Sequence, residues 1–431
     1  MNKATIITLL AGMLTAAHAA SPLSVEVSNP SKFARECVPV VIDLSSQPDL
    51  LSALISLPDG GLTVRDAQSA ALPCQLDDLN QDGTPDELCF LTSLAARETK
   101  VFTIEVAEQR EAEAKPSVYV EMLLANKKIK EQNRQDLYIS SLTVDHGVNP
   151  YNQLHHHGAA FENELVAYRI YFDHRQTVDI YGKRHKGLEL RETQFYPDEA
   201  QKQAGSGDDI LWVGNTFGLG TLRGYNGEQP TMLSDVLHRT QRILSRGPLR
   251  TIVEVTDEGW KPEGEQQRLT LTTRYTLYAH RRDCQVDVYL SNGSSALGQT
   301  APRFATGIIN IKNSLEYSDH RGLRGCWGTD WPVSAKDSVG HQRETVGLGI
   351  CLPQQCIVSE WEAPKDGEGH SAVENYGYEI RLQGSHLRYF ITFGSDNEDF
   401  GHHSAEAWFN YLRQWKRELV VQPRVMVKQK E

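Results

Sequence analysis

Apolar residues recur at every second position in short runs along most of this chain, and a period of two belongs to strands, not helices. Ser24-Val25-Glu26-Val27 opens the series, and Lys100-Val101-Phe102-Thr103-Ile104-Glu105-Val106 repeats it. Residues 166–172, 178–181, 269–278, 286–290 and 388–393 follow the same rule. Helical spacing appears late, in Ala407, Trp408, Tyr411, Leu412 and Trp415 of residues 404–417. Many strands and one late helix predict an all-β protein of packed antiparallel sheets. A chain of 431 residues exceeds the usual single domain. Closely spaced short strands up to residue 110 read as an N-terminal β-sandwich domain over 20–110. A charged, Ala-rich stretch at 107–116 reads as a linker, which leaves 117–431 as a large second, catalytic domain.

The beginning carries an export signature. Met1-Asn2-Lys3 is basic, an uncharged stretch follows to Ala17, and Ala17-His18-Ala19 is a small-x-small cleavage pattern. Residues 1–19 are therefore expected to be a signal peptide, placing the mature protein in the periplasm or outside the cell. No later segment is long and apolar enough to span a membrane. The formal net charge of −12 argues against nucleic acid as a partner. An anionic small substrate needs only a local cationic cluster and stays open. Among the 7 cysteines, Cys74 with Cys89 and Cys351 with Cys356 are spaced for cross-strand disulfides or for buried free thiols.

Chemistry-bearing residues concentrate between His155 and Lys186. Three histidines, His155, His156 and His157, precede Glu162 and the strand Tyr168-Arg169-Ile170-Tyr171-Phe172-Asp173. Alternation sends Tyr168, Ile170 and Phe172 inward and Arg169, Tyr171 and Asp173 outward. After a short turn, Asp179, Tyr181 and Lys183 fall on one face of the next strand. Paired as a hairpin, the two strands present one polar face; a merely solvated sheet surface is the plain alternative. On an extended strand His155 and His157 share a side and His156 opposes them. Adjacent histidines without a spaced third ligand do not make a standard zinc pattern, so no metal is assigned there.

Residues 78–86 place Asp or Asn at alternate positions before Gly83, as a calcium loop begins. The closing acid is missing, since Cys89 stands there, so an Asp-rich turn is the first reading and a bound calcium ion the second. Gly205-Ser206-Gly207-Asp208-Asp209 and Trp212 form a glycine-rich stretch where a sugar ring would approach the backbone, or simply turns. Trp327, in Cys326-Trp327-Gly328, is the most loop-like tryptophan and a candidate sugar contact; core packing is the alternative.

The order His-His-Gly, Ala-Phe-Glu-Asn-Glu, Tyr-Arg-Ile-Tyr-Phe-Asp and Asp-Ile-Tyr-Gly-Lys resembles the "domain of unknown function 4861" family of bacterial polysaccharide-utilisation systems. Gln75-Leu76-Asp77-Asp78-Leu79 with Asp86-Glu87-Leu88 resembles that family's N-terminal region. The resemblance implies a β-supersandwich like that of sugar mutarotases and polysaccharide lyases. It also implies an oligosaccharide dehydratase, which removes water from a non-reducing terminal uronic acid to leave a 4,5-unsaturated sugar. A downstream unsaturated-glycuronyl hydrolase would then take the product.

Such an elimination needs three groups. The substrate carboxylate must be neutralised, a base must take the proton beside it, and an acid must protonate the departing hydroxyl. Arg169 and Lys183 are the candidate neutralisers. His157 or His155 serves as base and Tyr171 as acid, with the reverse as alternative. Asp173 or Glu162 would orient a histidine. His156, Tyr181, Asp209, Trp212 and Trp327 complete the substrate-binding candidates. A polysaccharide lyase, a glycoside hydrolase and a non-catalytic glycan-binding protein are the competing readings.

Overall fold

A computed structural model describes residues 21–57, 60–108, 114–125, 137–291, 302–334, 337–364 and 374–429. The expected signal peptide and residues 109–113 of the expected linker lie outside the described residues. Strand Leu23–Ser28 shows the period-two rule at work: Leu23, Val25 and Val27 are buried and their neighbours are not. It joins a five-stranded sheet that packs on a three-stranded one made of Arg35–Asp43, Glu87–Leu94 and Cys74–Asp77. Val25, Val40, Ile42, Phe90, Phe102 and Ile104 fill the space between. The outermost strand of the larger sheet is Arg424–Gln429, pairing antiparallel with Leu23–Ser28. The N-terminal sandwich therefore takes its edge from the other end of the chain, a pairing the 117–431 boundary does not anticipate.

The second sandwich is larger. A nine-stranded antiparallel sheet, from Ser141–Asp145 at one edge to Leu315–Ser318 at the other, forms one layer. Two five-stranded sheets form the facing layer. One contains Asp208–Asp209, Val178–Gly182, Ala167–Tyr171, Gly158–Asn163 and Val118–Glu121; the other is centred on Arg303–Ile308. Single bridges from Val178 to Gly218 and from Leu219 to Ile308 link the two. All three sheets contribute to one apolar core, including Phe161, Ile170, Val253, Leu277, Phe304, Ile350 and Ile391. Gly218 and Leu219 make this link, and a Cβ at Gly218 would collide with the Val178 carbonyl.

The late helix is Ala405–Val420, capped by the Ser404 hydroxyl accepting the Ala407 N–H. Its buried residues Trp408, Leu412 and Trp415 lie on the outer face of the nine-stranded sheet. Glycines make room for them: a Cβ on Gly349 would stand 2.5 Å from Leu412 Cδ2, and one on Gly347 2.6 Å from Trp408 Cδ2. Trp327 belongs to this packing, 6.4 Å from Trp408. It sits on strand Leu323–Asp330, whose glycines give it the look of a loop in sequence.

Arg250 clasps the two sandwiches. Its Nε donates to Asp77 at 2.8 Å and its Nη2 to Glu87 at 2.6 Å. Gln75 accepts from the Leu249 and Arg250 amides at 2.6 and 3.0 Å. The Gln75-Leu76-Asp77 block is thus part of the joint. All seven cysteines are free thiols. Cys74 pairs across the sheet with Phe90 and Gln75 with Cys89, so Cys74 and Cys89 project from opposite faces and cannot bridge. Cys351 packs under the helix and Cys356 in the main core, again on opposite sides.

Candidate active site

The hairpin of Ala167–Tyr171 and Val178–Gly182 carries the site. Tyr168 and Ile180 form one cross-strand pair and Ile170 and Val178 another, all facing the main core. Arg169 and Asp179 form the pair between them and face the other way. That face is not wet: Leu190 and Phe195 fold over it and pack with Ala160, Ala167 and Tyr181.

Arg169 is the centre of the cluster. Nε and Nη2 donate to Asp179 Oδ2 at 2.8 and 2.6 Å, Nη2 to Asp209 Oδ2 at 2.8 Å, and Nη1 to the Tyr196 hydroxyl at 2.5 Å. The guanidinium also lies 4.1 Å from the Phe195 ring centre. Tyr171 donates its hydroxyl to Asp179 Oδ2 at 3.0 Å. Burial raises the Tyr171 phenol well above its ordinary value; Arg169 opposes the shift and Asp179 adds to it. Burial, then the neighbouring Asp179, also raises the Asp209 carboxyl, whose Oδ1 has no hydrogen-bond partner among the described residues.

The histidines lie in a turn, not on a strand, so the expected alternation does not apply. His156 is fully buried, with Nε2 3.0 Å from Glu121 Oε1 and Nδ1 2.9 Å from the Gly158 carbonyl. Tyr119 donates to the other oxygen of Glu121 at 2.7 Å. His156 therefore anchors the turn to strand Val118–Glu121. His157 adopts a left-handed φ of 68°, a strained choice for a residue with a Cβ. Its ring stacks on Tyr151 at 3.7 Å and meets Tyr171 edge-on at 6.0 Å. Nδ1 lies 2.9 Å from the Tyr151 carbonyl, which can only accept, so Nδ1 carries the proton and Nε2 is the basic atom. Burial lowers this imidazole to about 4, so it is neutral at ordinary pH. His155 is half-buried and edge-on to Tyr196 at 6.2 Å.

Asp173 does not orient a histidine. It lies beyond the strand end and binds Arg175, whose Nε and Nη2 donate to Oδ2 at 2.8 and 2.6 Å. Arg175 spreads over Tyr151 and Tyr171, 4.5 and 5.1 Å from their centres. Its side chain is 18% exposed against 4% for Arg169, so it is the more accessible cation of the two. Glu162 and Lys183 are fully buried and paired with each other. Glu162 also accepts the Glu189 and Leu190 amides, fixing the covering segment. Tyr181 is buried and donates to Glu189 at 3.0 Å. Trp212 lies beside Gly214 in the connecting loop, its amide donating to the Trp331 carbonyl at 3.1 Å. The structure thus gathers His155, His157, Arg169, Tyr171 and Asp209, and assigns Glu162, Lys183 and Tyr181 to the scaffold around them. Tyr151, Arg175, Tyr196 and Glu121 complete the cluster; of these Glu121 alone stands in a strand, at the end of Val118–Glu121, and the other three lie in turns and connections.

The Asp-rich turn spends its carboxylates on backbone. Asp86 accepts from Leu79 and Asn80, and Asp78 from Asp82 and Gly83. Among the described residues no group of three or more His, Cys, Asp or Glu side chains is arranged to hold a metal ion.

The sequence profile of DUF4861, a domain of unknown function, matches residues 27–425. The chain belongs to the DUF4861 family. No curated protein matches this DUF4861 chain. Solved structures similar to it include a glycosyl hydrolase family 38 protein from Enterococcus faecalis, at 12% identity and a TM-score of 0.46. An alpha-mannosidase from Enterococcus faecalis V583 gives the same identity and TM-score. The alignments cover 97% of this chain but 48% and 47% of those proteins, so the DUF4861 chain spans about half their length. Among the described residues of the DUF4861 protein, no helix is long and apolar enough to cross a membrane.

Proposed function

We propose that this protein is a carbohydrate-active enzyme, acting outside the cytoplasm, that eliminates water from the non-reducing terminal uronic acid of acidic oligosaccharides. The observation that supports this most is the edge-on placement of a neutral His157 against a protonated Tyr171. A base and an acid at one spot are what a β-elimination requires. In this scheme His157 Nε2 takes the proton from C5, beside the carboxylate. Arg175, the more exposed of the two and paired with Asp173 alone, neutralises that carboxylate, whereas Arg169 is buried between Asp179 and Asp209. Tyr171 gives its proton to the hydroxyl leaving C4, and the electrons of the broken C5–H bond become the C4=C5 double bond. Asp179 and Arg169 hold the Tyr171 hydroxyl in place.

The test is incubation with oligosaccharides ending in a uronic acid, followed by ultraviolet absorbance and mass spectrometry. Rising absorbance with loss of one water and no shortening is the expected result. Rising absorbance with shorter products would instead mean a lyase, and saturated products a hydrolase. No change across a panel of uronates would leave a binding protein.

A further inference from the structure

A groove of about 580 Å³ runs along the seam between the N-terminal sandwich and the C-terminal helix. Its volume lies within the roughly 300–1,000 Å³ typical of ligand sites. Apolar side chains line it, among them Phe33 at 38% exposure and Val420 at 68%. Cations surround them: Lys32 and Arg97 from the sandwich, and Arg413, Lys416 and Arg417 from the helix. Among the described residues Asp319 is the one acid in the lining, and it pairs with Lys416 at 2.6 Å. Among the described residues the other four cations have no carboxylate partner. Two of them instead lie over rings, Arg413 5.0 Å from the centre of Tyr317 and Lys32 5.6 Å from that of Phe33.

The chain carries a formal net charge of −12, so five cations gathered around one acid run against its overall sign. Like charges held together repel unless an anion sits among them. The floor asks for a ligand with apolar faces and the rim for one with repeated negative charge. A uronate-bearing saccharide meets both, with CH faces for the rings and a carboxylate on each sugar. Residues 30–33, 97, 317–323 and 413–421 contribute nothing to the Arg169 cluster.

We propose that this groove binds an internal stretch of a uronate polysaccharide, as a glycan site separate from the His157–Tyr171 site. It shares with the proposed function only the reading that the ligand is an acidic saccharide. The experiment is gel electrophoresis of the full chain through polygalacturonate, with dextran, dextran sulfate and polyglutamate as parallel gels. The wild type is expected to be retarded by polygalacturonate and not by dextran. Arg413→Gln/Arg417→Gln, and independently Arg97→Gln, should weaken that retardation, the double variant by about tenfold. Their melting temperature and any turnover of short uronates should stay at wild-type values. Equal retardation of wild type and variants would overturn the proposal. So would a wild type that polygalacturonate does not retard, or one held as strongly by polyglutamate or dextran sulfate. Because the gel reads binding without turnover, a protein that is retarded but eliminates no water keeps the groove and loses the dehydratase reading.

Discussion

Arg169 and Asp179 stand directly opposite each other on neighbouring strands, and two guanidinium nitrogens, Nε and Nη2, converge on one carboxylate oxygen, Asp179 Oδ2. The side chains are 4% and 1% exposed; removing Arg169 leaves Asp179 and Asp209 buried without their cation, and removing Asp179 leaves Arg169 with Asp209 alone. Loss of one member of such a pair costs about 3–5 kcal/mol. Asp179→Asn should therefore lower the urea midpoint at unchanged m-value. Arg169→Met combined with Asp179→Leu should lose less than the sum of the two single changes. A strictly additive double variant would mean that the two residues do not act as a pair.

His157→Gln and Tyr171→Phe should each reduce kcat by roughly 10²–10⁴, the usual contribution of a positioned acid or base. Tyr171→Phe keeps the ring that packs against His157 and Arg175 but loses the hydrogen bond to Asp179, so its stability should fall by no more than about 1.5–3 kcal/mol. Steady-state kinetics beside thermal denaturation separates the roles. Activity lost only in step with stability would make both residues structural.

The hairpin face was readable because alternation in residues 166–172 and 178–181 is strict, and cross-strand pairing follows from it. Its burial was not, because the cover comes from a segment of short helices, Leu190–Thr193 and Glu199–Gln203, with no sustained period. Tyr151 sits in a three-residue helical turn and reaches His157 through a backbone carbonyl, which any residue type supplies. Trp327 misled for a related reason. Gly328 beside it suggests a loop, yet it lies in a strand where a Cβ would stand 2.7 Å from Ile311 Cγ2. The short strand Arg424–Gln429 follows the late helix without a signal of its own, and nothing in the sequence says that its partner is Leu23–Ser28.

The pH dependence follows from His157. Burial lowers its imidazole from 6.5 to about 4, so the ring is the free base over the whole range above that value. The acid limb of kcat/KM should therefore lie near pH 4 and not near 6.5. The stability link has the same direction. Between those values the unfolded chain binds the proton and the folded chain does not, so His157 favours folding above about 6.5 and that contribution is lost as pH falls toward 4. A pH–rate profile with a limb at 6.5 would remove His157 from the role of base.

Gly349→Ala tests the helix seat. The new methyl would stand 2.5 Å from Leu412 Cδ2 and 3.0 Å from Thr392 Cγ2, inside a packed layer. Overpacking of this kind costs about 1–3 kcal/mol. Tryptophan fluorescence should shift as Trp408 is displaced, and Leu412→Ala in the same background should restore part of the loss by making room. An unshifted spectrum with full stability would mean that the helix adjusts freely, against the fit described above.

Arg250 joins the two sandwiches, and its removal should uncouple them. Its guanidinium holds Asp77, a side chain 3% exposed, and Glu87, while its amide binds Gln75. In Arg250→Met the methylene stem remains but Asp77 is left buried without its cation, which costs on the order of 3–5 kcal/mol. That loss falls on the joint and not on either apolar core, since Arg250 contacts neither the Phe90–Phe102 pair nor the core around Val253 through its charge. Calorimetry of the wild type should give one transition if the clasp couples the sandwiches. The variant should give two, with the smaller N-terminal unit melting first because it buries the smaller core. A single transition at lower temperature would mean that the strand Arg424–Gln429, which ties the chain's end into the first sandwich, is enough to keep the two units cooperative.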